Sequence, residues 1–161
     1  MKTKTTKKQI KKELKPATKT TEVKAVKPIE FEKEVALLKL HLHNKLWRKT
    51  PDQAQKWIAL LNDFCKLYDI KVPELLVNAN LGCHFIKARE NSPATITLDK
   101  YSIISLLHEF AHYLSLSKDK DWTEKDIVHY SETIFLTAYP KANDYLVRDE
   151  FGGLVKKQES E

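Results

Sequence analysis

Apolar positions between residues 29 and 47 recur at steps of three and four: Phe31, Val35, Leu38, Leu42 and Leu46 fall on one stripe that runs up to Trp47. That spacing predicts an amphipathic helix. A second helix is expected directly after it, with Thr50 as N-cap, Pro51 at the first helical position, and Trp57, Leu60, Leu61, Phe64 and Leu67 on its apolar face. The two are predicted to pair antiparallel along one side of the domain. Beyond "IKVPELLVN" the period changes. "GCHFIKA" and "ATITL" are short, β-branched or alternating, and separated by the turn formers of "RENSP", which predicts a β-hairpin.

From Tyr101 to Leu116 the helical period returns. Ile103, Ile104, Leu107, Phe110, Ala111 and Leu114 predict a largely buried helix whose start is signalled by Asp99. "SKDKD" breaks it, Thr123 with Glu124 or Asp126 opens the next helix, and Pro140 ends that one near Tyr139. "KANDYLVRDEF" reads as a last helical stretch stopped by Gly152 and Gly153, and residues 153–161 as a frayed tail. The expected fold class is α+β: mostly helical over 29–152, with a small hairpin or three-stranded sheet beside the 101–116 helix.

Charge changes this picture at one end only. Residues 1–28 hold ten lysines against two glutamates, whereas the rest of the chain holds 18 basic and 20 acidic residues. The pI of about 9.1 therefore belongs to a tail. Lysine- and threonine-rich and poor in large apolar groups, that tail is expected to be disordered, and either to aid solubility or to offer a weak, sequence-independent contact with nucleic acid, an acidic protein or an anionic membrane. Removing residues 1–28 is expected to abolish any binding to DNA at moderate salt. Cys65 and Cys83 lie far apart with no C-x-x-C spacing, so neither a disulfide framework nor a cysteine zinc cluster is indicated. With no signal-peptide pattern and no apolar run of about 18 residues, the chain is expected to be soluble and cytoplasmic, with no membrane partner.

Within the buried helix lies "LLHEFAHYL". Residues four apart on a helix stack on one face, so the imidazoles of His108 and His112 can reach one Zn²⁺ at roughly 2.0 to 2.1 Å. Glu109, one position round, can reach a water that the metal activates without itself ligating, as a general base must. Two histidines and a glutamate left without partners on an apolar helix would each cost on the order of 1 to 3 kcal/mol, and a metal gives all three a reason to be there. Catalytic zinc takes a third protein ligand. The candidates are His129, after 16 intervening residues from His112, and Glu132, after 19, with His84 a distant third. His129 is the preferred ligand and Glu132 the alternative. His41 and His43, two apart on one helix, face different ways and read as packing or surface groups.

The run "ATITLDKYSIISLLHEFAHYL" resembles the core of the zincin metallopeptidases, and the likeness extends from Gly82 to Pro140. Within that group "HEFAHYLSLSKDKDW…HYSE" is most similar to the small SprT-like and phage-encoded zincins, with His129 and Glu132 on the H and E of an H-G-x-E-F-like motif. Tyr130 and Thr133 stand where that motif favours glycine and phenylalanine. The gap to Glu132 is also similar to the glutamate zincins, although Leu136 replaces that pattern's later aspartate. The resemblance implies an edge strand beside the active-site helix that binds an extended protein or peptide substrate. It also implies peptide hydrolysis with Glu109 as proton acceptor, and an oxyanion held by zinc with one of Tyr130, Tyr139, Tyr145 or Arg148. One rival expectation keeps the zinc and loses the turnover, as a regulatory or virion-associated module; another has the basic tail direct the peptidase to nucleic-acid-bound proteins, as the SprT-like resemblance implies.

Overall fold

The computed structural model describes residues 28–43, 54–150 and 152–157. The lysine-rich tail, the Leu46–Trp47 end of the first apolar stripe, and the expected cap at Thr50–Pro51 lie outside the described residues. The elements are α1 (Glu32–Leu42), α2 (Ala54–Tyr68), β1 (Glu74–Val77), β2 (His84–Ile86), β3 (Thr95–Leu98), α3 (Ile103–Ser117) and α4 (Glu124–Ala138). A 3₁₀ turn over Pro140–Asp144 follows, then β4 (Leu146–Arg148) and β5 (Leu154–Lys156). The architecture is α+β. Among the described residues no helix is long and apolar enough to cross a membrane.

The predicted hairpin is present as β2 and β3, antiparallel with Phe85 opposite Ile96. "ELLV" adds a third strand, β1, which runs parallel to β3 and gives the order β1-β3-β2. The strand that leads into α3 is therefore the central one, buried from Ile96 to Leu98, and among the described residues β2 is an edge strand. Gly82 sets up that edge. A Cβ there would come within 2.5 Å of the His84 ring, and the Gly82 carbonyl instead accepts from Thr97 Oγ1 at 2.8 Å.

Helix α3 is capped by Ser102, three residues beyond the Asp99 expected to signal its start. It buries Leu106, Leu107, Phe110, Ala111 and Leu114 between the sheet and the other helices. Phe110 is the hub of this packing, edge-on to Phe64 of α2 with centroids 5.5 Å apart and 1% exposed. Phe110→Ala is expected to cost about 3 to 5 kcal/mol through lost transfer energy and a cavity. The check is the urea unfolding midpoint of the variant against wild type.

The reading of residues 141–151 as a helix needs correction. Only a short 3₁₀ turn forms, and Leu146–Arg148 pairs antiparallel with Leu154–Lys156. Residues 154–156, read as part of a frayed tail, are thus a strand. The segment Leu146-Val147-Arg148 carries branched residues that suit a strand, and the Gly152-Gly153 pair taken as a helix stop makes its hairpin turn, with Gly152 at φ 81°.

A candidate metal centre

Helix α3 places His108 and His112 one above the other, their rings 5.0 Å apart and inclined at 72°. The chain then reverses within a few residues, with Asp119 in the left-handed region at φ 48°, and α4 begins at a reciprocal cap. The Thr123 side chain accepts from the Asp126 amide while the Asp126 carboxylate accepts from the Thr123 amide at 2.8 Å. This cap makes Glu124 the first residue of α4 and turns its carboxylate onto the histidine pair. Glu124 Oε1 lies 3.1 Å from His108 Nε2, and Oε2 lies 3.4 Å from His112 Nε2.

These three residues offer donor atoms within 4.8 Å of one another, and among the described residues they are the group so placed. The spacing suits zinc. Bonds of roughly 2.0 to 2.1 Å in a tetrahedron put neighbouring donors about 3.3 to 3.4 Å apart, and the two carboxylate–imidazole separations, one to each oxygen of Glu124, are near this value. Two imidazoles and one carboxylate are also a known donor set for a catalytic zinc. The Glu124 side chain is 65% exposed and the two histidines are half-buried, so the side away from α3 is open to solvent and to a ligand.

Glu109 is 6% exposed and faces the edge strand, where it accepts from the backbone N–H of Phe85. Burial pushes its carboxyl above the ordinary range; the His112 imidazole and the Phe85 amide oppose this, and Glu124 adds to it. Burial likewise pushes the His108 imidazole below its ordinary range, against the pull of Glu124 and with a further push from His112. The neutral imidazole is the form that ligates a metal.

The Glu109 shift carries a stability consequence in metal-free protein. A carboxyl whose folded pKa is raised stabilises fully below its unfolded pKa, and that contribution is lost as pH rises through the folded value. Glu109→Gln is therefore expected to raise the unfolding midpoint of metal-free protein at pH 7. The gain should vanish below about pH 4, where the carboxyl is protonated in both states. Urea titrations at the two pH values provide the check.

The two third-ligand candidates from sequence stand elsewhere. His129 Nε2 meets Glu30 Oε1 at 2.8 Å and its ring packs 6.0 Å from Phe31, at the start of α1. The reason is angular: at 100° per residue His129 lies about 140° round α4 from Glu124, whereas Val128 and Ser131 lie within about 40° of it. Glu132 does line the cleft, but both its oxygens accept from Arg148. His84 is turned onto Gly82. His41 pairs with Asp63 at 2.9 Å.

Of the four oxyanion candidates, Tyr130 is buried with its hydroxyl 3.1 Å from that of Tyr68. Tyr139 and Tyr145 pack against each other at a tilt along a different groove, and the Arg148 guanidinium is engaged by Glu132 and the hairpin turn. Glu124 is what sequence reasoning missed. In the sequence it reads as a helix opener: "TEKD" carries the cap that fixes the start of α4 but not the direction in which that helix returns. Compared with known proteins, the chain matches no family model, no curated protein and no solved structure.

Proposed function

We propose that the protein is a zinc-dependent metallopeptidase of zincin-like build. The observation that carries this reading is the convergence of His108, His112 and Glu124 on one point, with Glu109 one residue along α3 and turned toward the free edge of β2. When bound, the metal lowers the pKa of water to about 7 and polarises a carbonyl.

The chain's own groups supply the rest. Glu109 is the proton acceptor and later returns the proton to the leaving amine. The Phe85 amide holds one of its oxygens, and in the metal-free chain burial raises its proton affinity. Among the described residues β2 has no partner strand on its outer side, so a peptide in extended form can add there through backbone groups that Glu109 does not engage and pass over the metal group. The substrate class is accordingly an extended protein or peptide segment.

The test is hydrolysis of an unfolded protein and of a degenerate fluorogenic peptide library by zinc-loaded protein. Cleavage that a chelator stops and zinc restores is the expected result. Stoichiometric zinc with no cleavage of either probe would replace this reading with that of a catalytically silent metal module.

A further inference from the structure

The β4–β5 hairpin has no counterpart in the helical reading of residues 141–151, yet it reaches the metal centre. The cleft, about 360 Å³, is lined by His108, Glu109 and Glu124 and also by Gly152, Gly153 and Leu154 of the hairpin. One guanidinium joins the hairpin to the helix. Arg148, at the end of β4, donates from Nη1 to Glu132 Oε1 at 3.0 Å and from Nη2 to Glu132 Oε2 at 2.5 Å. The same Nη1 donates to the carbonyl oxygen of Gly152 at 2.7 Å.

Each side of this junction is built for the contact. The Glu132 side chain is only 12% exposed, so its carboxylate needs a charged partner, and the two-pronged pairing satisfies both of its oxygens. The hairpin turn is closed locally by Asp149, whose amide donates to the Gly153 carbonyl at 2.9 Å and whose carboxylate accepts from the Gly153 amide at 2.8 Å. Arg148 is the side chain whose hydrogen bonds, among the described residues, join it to α4.

We infer that Glu132 and Arg148 are a positioning pair, serving neither as metal ligand nor as oxyanion donor, that docks the β4–β5 hairpin as a wall of the metal cleft. The wall confines the substrate chain that β2 holds at its edge, so the pair acts on substrate binding through the hairpin and not on the metal. For its effect on turnover the inference rests on the metallopeptidase reading. For the hairpin itself it does not.

The experiment compares zinc-loaded wild type, Glu132→Gln, Arg148→Ala and the exchanged pair Glu132→Arg with Arg148→Glu. It measures zinc per chain, backbone amide exchange across residues 146–157, and kcat and KM on the fluorogenic peptide library. Glu132→Gln and Arg148→Ala are expected to keep the wild-type zinc content, to speed exchange at Asp149 and Gly153, and to raise KM by about tenfold with a much smaller change in kcat. The exchanged pair should recover part of the slow exchange and part of the KM.

Zinc lost in Glu132→Gln would overturn the inference by making Glu132 a ligand. Unchanged exchange in both single variants would overturn it as well, and so would a fall in kcat in Arg148→Ala at constant KM, which would make Arg148 an oxyanion donor. If wild type hydrolyses neither probe, the metallopeptidase reading fails by itself, and zinc content with amide exchange still decides whether the pair docks the hairpin.

Discussion

Glu109→Gln is expected to leave about one zinc bound per chain and to lower peptide hydrolysis by about 10²- to 10⁴-fold, the range that a positioned general base supplies. The amide is nearly isosteric and can still accept from the Phe85 N–H. What it lacks is a basic oxygen, so water can no longer lose its proton to the chain. Because Glu109 is outside the group formed by His108, His112 and Glu124, metal content should not follow the rate. The measurement is zinc per chain by elemental analysis beside kcat/KM on the peptide library. A variant that retains the wild-type rate would remove Glu109 from the chemistry. A variant that loses the metal as well would make it a ligand.

Removal of single side chains should separate His108 and Glu124 from His129. His108→Ala and Glu124→Ala are each expected to weaken zinc binding by more than about 100-fold. Loss of an outer partner alone costs roughly 10- to 100-fold, and a ligand costs more. His129→Ala should keep its zinc, because the His129 imidazole is engaged with Glu30, on the far side of α4 from the cleft. Competition with a chromophoric chelator gives the affinities. The reverse outcome, zinc lost in His129→Ala and kept in Glu124→Ala, would restore the histidine that the H-G-x-E-F-like likeness favoured and would mean that α4 turns on binding metal. Zinc uptake should also raise the thermal midpoint of wild type, since a ligand that binds only the folded state stabilises it by mass action.

Much of the scaffold around this centre was legible. The steps of three and four through Val35 and Leu38 and through Trp57, Leu60 and Phe64 predicted α1 and α2, and all of these residues are buried. The β-branched pair of segments around "RENSP" predicted β2 and β3, and "TEKD" carried the opening of α4. These features are local: a cap or an apolar period is set by residues within one or two turns of each other. Where the reading failed, two local tendencies competed. The segment after Tyr145 has helix-compatible residues and a glycine stop, but Leu146 and Val147 find partners in Val155 and Lys156, and that pairing decides the matter.

The sequence by itself determined the α+β class, the buried helix of "LLHEFAHYL", and the juxtaposition of His108, Glu109 and His112. An α-helix of known period places residues one and four apart in fixed directions whatever surrounds it. The third member of the candidate metal group, the outer edge of β2, and the hairpin that reaches the cleft were decided by tertiary structure. Each depends on how one element returns past another: where α4 turns back along α3, which strand β1 leaves outermost, and what Arg148 meets across the cleft. Those meetings join residues far apart along the chain, and their distances are set by packing between elements, which no spacing within a single element contains.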